Sequence, residues 1–221
     1  MNISPINNIN FKSKIKVLSP TDYERLINNM SINPNYQNIF DWNIELKPKE
    51  PESFRAYRVN TELASTENIK SCTGALFITP GEKINLVTHL LNSAENIKNL
   101  TKLEPYANGE NAFIVGSKSE YDYSSELYKA VENMAKIKKM PITKLEDMDR
   151  YWEAHFACDA LKDTIYLCVN EIINPDRYVK SLDTLKRVFK KVSISPKDTI
   201  EFISEQKTPN LDKLTGFLRK L

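Results

Sequence analysis

The sequence has few of the side chains on which metal and disulfide chemistry depend. Its 221 residues include three cysteines and two histidines. A site built from several imidazoles is therefore disfavoured, and three cysteines cannot form a complete disulfide framework, which favours a reducing compartment. No run approaches the roughly 18 consecutive apolar residues of a membrane-spanning helix. Residues 1–11 are polar and lack the apolar centre of a secretory signal. We therefore expect a cytoplasmic protein without membrane contact, with a secreted effector as the alternative.

Charge of neither sign is in excess. The 31 Lys and Arg residues against 29 Asp and Glu residues leave a net charge of +2. This balance disfavours a general polyanion-binding surface, and hence a nucleic-acid partner, and leaves room only for a local basic patch. Hydrophobic residues at 41% and charged residues at 27% are typical of an ordinary globular protein. At roughly 150 residues per domain, the length predicts one domain, or one domain with large additions.

Composition divides the chain into three parts. Over residues 1–50 we expect an N-terminal arm, which is loose over residues 1–16, followed by a helix. Thr21 and Glu24 have the spacing of a capping box at the start of this helix. Residues 51–172 predict a central domain of mixed helices and strands. Over residues 173–221 we expect a C-terminal helical extension, because the prolines there stand where the first turns of helices are predicted.

The central part combines strand patterns with helical ones. Pro80-Gly81 is a turn dipeptide between two apolar runs, so we expect a hairpin there. The predicted strands cover 54–60, 74–79, 84–91, 112–115, 151–158 and 164–170, and the predicted helices cover 94–103, 124–140, 181–192, 196–206 and 209–221.

The most informative pair of side chains is Cys72 and His89. Cys72 lies at the start of the first hairpin strand and His89 lies on the second. Since a hairpin folds its strands together, the two side chains can be neighbours. An imidazole that takes the proton of a thiol turns the sulfur into a nucleophile. The alternative is a buried cysteine and a half-buried histidine on adjacent strands, without chemistry.

The residues around this pair resemble one family. Thr66 precedes Cys72 by six residues, Ser71 stands directly before Cys72, and His89 lies on the following strand. In this pattern the stretch of residues 57–169 resembles the chemotaxis protein CheD, a receptor-glutamine deamidase.

The second half of the stretch resembles the same family independently. A strand closes at Gly116, a helical segment with Leu127 and Val131 follows, Met140-Pro141-Ile142 ends the helix, and a two-stranded hairpin comes last. The resemblance implies an α+β fold, a CheD-like layered β-sheet domain packed with helices, to which the helical N- and C-terminal additions are joined.

The resemblance also implies a cysteine amidase that acts on protein glutamine. Cys72 would attack the side-chain carboxamide, His89 would serve as base and then acid, and Thr66 would orient His89. Backbone N–H groups of Ser71 or Cys72 would hold the oxyanion. No metal or organic cofactor is required. The partner would be a protein that carries a glutamine, and the C-terminal helices could dock a regulatory protein.

The chain departs from the family at its glycines. The family pattern is of the type Thr-x-Gly-x-Gly-Ser-Cys, whereas residues 66–72 contain no glycine, and the glycine pair usual before the histidine is absent from 85–88. Glycine permits close backbone approach and positive φ. These departures favour a second hypothesis, a catalytically inactive CheD-like protein-binding module. A third is a thiol hydrolase for a small amide or a peptide bond.

Other candidate residues have simpler interpretations. Thr66 is as readily a capping residue as a catalytic one, and Ser71 is more typical of a turn. His155, Cys158 and Cys168 lack the paired spacing of zinc ligands, so we expect the two cysteines to be small residues of a buried sheet.

Overall fold

The computed structural model describes residues 13–39, 56–116 and 122–203, and these form two mixed six-stranded sheets. The first sheet contains, in spatial order, β12 (Thr199–Phe202), β1 (Lys14–Val17), β10 (Thr164–Glu171), β9 (Trp152–Asp159), β4 (Leu63–Ile69) and β2 (Tyr36–Ile39). The second contains β11 (Phe189–Ser193), β8 (Ile142–Met148), β7 (Asn111–Gly116), β5 (Thr73–Thr79), β6 (Lys83–Leu90) and β3 (Tyr57–Thr61). The α-helices within the described residues are α1 (Pro20–Met30), α2 (Ala94–Asn99), α3 (Asp122–Ile137) and α4 (Leu182–Val188), and a short 3-10 helix, Leu100–Lys102, follows α2. The expected α+β class is confirmed.

The two sheets pack face to face around one apolar core. Alternate residues of each strand point inward, as the period of two requires. Phe113 of β7 and Phe156 of β9 meet edge to face, with ring centroids 5.7 Å apart. Ile15 of β1 and Val87 of β6 belong to the same buried cluster, so the core extends through both sheets.

Helices cover both outer faces of this sandwich. α1 lies on the first sheet, where Tyr23 and Met30 pack beside Ala157 and Cys168. α2 and α3 cover the second sheet, where the buried cluster includes Phe77, Leu86, Leu100, Leu127 and Val131. The layers therefore run helix, sheet, sheet, helix. None of the described helices is long and apolar enough to cross a membrane.

The predicted hairpin is confirmed. β5 and β6 pair antiparallel, with Gly74 opposite His89, and a bulge between Phe77 and Ile78 shifts the register. Gly81 in the connecting turn has φ of 77°, which glycine adopts without a steric cost. The second hairpin, β9 with β10, is also confirmed.

The predicted start of α1 is wrong in detail. The N-cap is Ser19 rather than Thr21, because the Ser19 hydroxyl accepts from the backbone N–H of Asp22 at 3.1 Å. Pro20 then occupies the first helical turn, where its missing N–H is of no consequence.

The flanking segments contribute strands that the sequence analysis missed. The prediction of a loose arm is wrong for residues 14–16, because they belong to β1, which lies between β10 and β12 and runs parallel to both. The helix predicted over 181–192 is helical only in α4 and continues as β11, which pairs with β8. The helix predicted over 196–206 is wrong for Thr199–Phe202, which is β12. Partner strands, which local helix propensity does not register, decide these elements. Residues 204–221, with the predicted last helix, lie outside the described residues.

The strands β2, β4 and β8 were also missed. β2 has four residues and β4 is interrupted by a register shift between Thr66 and Ile69. β8 follows α3 closely, and it runs parallel to β7. Helix 124–140 was predicted with Ser124 as the cap, whereas α3 spans Asp122–Ile137.

We expect Gly74→Ala to destabilise the fold. A Cβ at this position would lie 2.5 Å from Cδ1 of Ile69 and 2.7 Å from Cε1 of Phe156, so the sheets would have to separate locally. Overpacking of this kind costs about 1–3 kcal/mol. Urea unfolding should show a lower midpoint at an unchanged slope. An unchanged midpoint would show that the sheets are not in contact at Gly74.

Candidate active site between the two sheets

Thr66 and His89 meet across the sheet–sheet interface. Thr66 points inward from β4 of the first sheet and His89 from β6 of the second. Oγ1 of Thr66 lies 2.6 Å from Nδ1 of His89. The exposed fractions are 0% for Thr66 and 1% for His89. The predicted pair of histidine and orienting threonine is therefore brought into direct contact.

The Thr66 hydroxyl determines which nitrogen of His89 carries the proton. The same Oγ1 donates to the backbone carbonyl of Ile39 at 2.8 Å. A hydroxyl has one proton to donate, so toward His89 it accepts, and Nδ1 must be the protonated nitrogen. In the neutral ring the lone pair then lies on Nε2. The arrangement makes Nε2 the nitrogen that can take a proton.

Cys72 lies in the loop that connects β4 to β5. It precedes Gly74 by two residues, and Gly74 is the register partner of His89. Because β5 begins at Thr73, burial rather than strand alternation indicates that the Cys72 side chain lies on the inner side. Cys72 is 4% exposed and belongs to the inter-sheet cluster with Ile69. Ser71, directly before it, is exposed.

The backbone before Cys72 contains a residue with a left-handed conformation, at a position where the CheD pattern has glycine. Asn68, which stands where the CheD pattern has its first glycine, has φ of 60°. Among residues with a side chain, Asn is one of the few that adopt this conformation readily. The register shift of β4 falls here, between Thr66 and Ile69. Lys70, at the second glycine position, is not among the residues with positive φ. Residues 66–72 therefore include one residue with a left-handed backbone, Asn68, although they contain no glycine.

Side chains of β9 and β10 hold this loop from the outer face of the first sheet. The N–H of Asn68 donates to Nδ1 of His155 at 3.3 Å. Nζ of Lys70 lies 3.3 Å from Oε2 of Glu153. Asn170 donates to the other oxygen of Glu153 at 3.1 Å, and Nε2 of His155 lies 3.6 Å from it. This cluster was missed by the sequence analysis. Its only sequence signal is the alternation of Glu153 and His155 on one face of a strand.

The remaining cysteines are unsuited to nucleophilic chemistry. Burial raises the pKa of Cys168 to about 12 and also raises the pKa of Cys158 well above its usual value. Thiols in such surroundings are inert. Cys168 is the register partner of His155, whereas Cys158 belongs to the inter-sheet core on the opposite face. In the described part of the chain, no three His, Cys, Asp or Glu side chains gather into a metal-binding group.

Comparison with known proteins adds nothing to this geometry. No protein-family model and no curated protein matches the chain. Any assignment of a function therefore depends on Thr66, Cys72 and His89 and on the contacts that hold them.

Glu153 should stabilise the protein in a pH-dependent manner. The pKa of its carboxyl is lowered to about 2, first by the hydrogen bond from His155 and further by Asn170 and Lys70. A carboxyl with a lowered pKa stabilises the folded state above its usual pKa, and this contribution is lost as the pH falls. We expect Glu153→Gln to be less stable than wild type at about pH 7, with the difference shrinking from about pH 4.5 downward.

Urea unfolding at several pH values tests this expectation. Glu82→Gln, which removes an exposed carboxylate from the turn between β5 and β6, is the control and should change little. A loss of stability in Glu153→Gln that stays constant down to about pH 3 would contradict the assigned role.

Proposed function

We propose that this chain is a cysteine-dependent protein-glutamine deamidase. The observation that carries the proposal is the buried hydrogen bond between Thr66 and His89, with Cys72 buried in the core between the same two sheets. A nucleophile, a base and a group that orients the base are the parts required for nucleophilic acyl transfer. The resemblance to CheD supplies glutamine as the substrate class.

The reaction begins with transfer of the Cys72 proton to Nε2 of His89. The thiolate attacks the carboxamide carbon, and the electron pair of the carbonyl moves onto oxygen. Backbone N–H groups at Ser71 and Cys72 are the candidates for holding this oxyanion, a contribution of about 3 kcal/mol per donor. The intermediate collapses as His89 returns its proton to the nitrogen, and ammonia leaves. The carbon–nitrogen bond is then broken and a thioester remains.

Water completes the cycle. His89 takes a proton from the water as its oxygen attacks the thioester, and the sulfur leaves and is reprotonated. The products are a glutamate side chain and the free Cys72 thiol. Thr66 keeps Nδ1 protonated throughout, because its own proton is committed to the carbonyl of Ile39. The orienting group is thus a neutral hydroxyl rather than a carboxylate.

The conformation of Asn68 bears on the alternative of an inactive binding module. This alternative was favoured by the missing glycines, since a distorted loop would displace Cys72. Asn68 adopts φ of 60°, so the conformation that the first glycine would permit is retained. A buried Thr–His hydrogen bond with a defined tautomer is also more than a binding surface requires.

Alkylation of Cys72 separates the enzyme from the inactive module. We expect iodoacetamide to modify Cys72 rapidly down to about pH 6, and His89→Gln to slow the reaction at least about tenfold there. Cys158 and Cys168, whose thiol pKa values are raised by burial, serve as internal controls and should stay unmodified. If Cys72 reacts identically with Gln at position 89, no thiolate–imidazolium pair exists and the binding module is favoured.

Mass spectrometry of a protein lysate treated with the enzyme tests deamidation directly. We expect glutamine-to-glutamate conversions with wild type and with Cys158→Ala, and none with Cys72→Ala. Thr66→Val should lower the rate by about tenfold or more through loss of the defined His89 tautomer, while Thr66→Ser should restore most of it. Conversions that persist in Cys72→Ala, or are absent from wild type, would contradict the proposal.

A further inference from the structure

A basic cleft lies at the end of the sandwich where Cys72 is located. Its volume is about 380 Å³, and it is lined by Trp152, Arg177, Tyr178, Lys180, Thr184, Arg187 and Val188. Ala154 of β9 is the register partner of Ile69. β4 ends at Ile69, and the next residue, Lys70, forms an ion pair with Glu153, which follows Trp152 in β9. The cleft therefore lies at the same end of the sandwich as the loop that carries Cys72.

The cations of this cleft are incompletely neutralised. Arg177 is paired with Glu171, with Nη1 3.2 Å from Oε1. Arg187 donates to the hydroxyl of Thr184 at 3.1 Å, and Nζ of Lys180 lies 4.4 Å from the ring centroid of Tyr178. Neither of these partners carries a negative charge. No carboxylate of the described residues forms an ion pair with Lys180 or Arg187, so two positive charges face the cleft uncompensated.

The walls of the cleft are fixed by the fold. The segment after β10 returns to it, since the N–H of Glu171 donates to Arg177 and the N–H of Val179 donates to Val169, both at 2.9 Å. α4 is capped by Ser181 and buries Val188 in the inter-sheet core. A preformed site loses less conformational entropy on binding than a mobile one.

From this charge and position we infer that the cleft binds an acidic segment of the protein substrate next to the glutamine presented to Cys72. The inference rests on the proposed deamidase function and specifies its substrate as glutamine beside Asp or Glu. The two uncompensated cations can pair with a few carboxylate side chains of a substrate. The aromatic and aliphatic walls can pack against the peptide chain to which those carboxylates belong. Nucleic acid would need a longer basic track along its phosphates, which a net charge of +2 does not favour.

Peptide binding to full-length Cys72→Ala protein tests the inference independently of turnover. The probes are fluorescein-labelled peptides in which one glutamine is flanked on each side by two glutamates, two serines or two lysines, together with a labelled single-stranded DNA oligonucleotide of the same charge as the acidic peptide. Fluorescence anisotropy measures each affinity. The test variant combines Lys180→Gln with Arg187→Gln. The matched control combines Lys98→Gln with Lys102→Gln, which removes the same charge from α2 and the turn after it.

We expect the acidic peptide to bind at least about tenfold more tightly than the serine peptide, and the test variant to lose about tenfold in affinity. The control variant should change the affinity by less than about twofold, and salt raised from about 0.05 M to about 0.5 M should weaken binding. Thermal unfolding of both variants confirms that they remain folded.

Three outcomes overturn the inference: no binding of the acidic peptide, equal losses in the test and control variants, or tighter binding of the oligonucleotide. Failure here with glutamine conversion intact removes the acidic substrate and leaves the deamidase. Selective binding of the acidic peptide without any glutamine conversion keeps the cleft as a binding site for acidic protein segments and removes the deamidase.

Discussion

Close packing between the two sheets is the constraint on which the rest of this structure depends. Phe156 meets Phe113 across the interface, and the backbone at Gly74 approaches Phe156 so closely that a Cβ would collide. A polar group in such an interface costs stability unless it is hydrogen-bonded. Thr66 and His89 satisfy each other and, through Thr66, the carbonyl of Ile39. The hydrogen bond between Thr66 and His89 therefore links the two sheets and also sets the tautomer of His89.

The loop that carries Cys72 is fixed from both faces of the first sheet. On the inner face, Cys72 is buried among the apolar side chains of the core. On the outer face, His155 accepts from the N–H of Asn68, and Glu153 holds Lys70. Orientation to within a fraction of an ångström is worth orders of magnitude in rate for an enzyme. A loop that only bound a partner would have less need of anchors on both sides.

Local pattern predicted the parts of the fold that depend on neighbouring residues. The β5–β6 hairpin follows from two apolar runs around Pro80-Gly81, and the β9–β10 hairpin follows from alternation on either side of a short turn. The secondary structure of the C-terminal segments was predicted wrongly because it depends on residues distant in sequence. Lys-rich residues 189–193 and Thr199–Phe202 become strands only because β8 and β1 offer edges to pair with. Such pairing depends on strands that are distant in sequence, so the residues within a short local segment do not reveal it.

The sequence by itself predicted the β5–β6 hairpin with His89 on its second strand, because alternation and the turn between the strands set which residues share a face. Cys72, predicted at the start of the first strand, lies directly before β5. The sequence also supplied Thr66 as a candidate through a resemblance, without a physical reason for its position. Only the tertiary structure decided that Thr66 reaches His89, since the two side chains come from different sheets that meet by packing. The tertiary structure also shows the left-handed backbone of Asn68 and brings Lys180 and Arg187 into one cleft with Trp152. These placements depend on how whole sheets stack, and residue spacing along the chain does not encode that geometry locally.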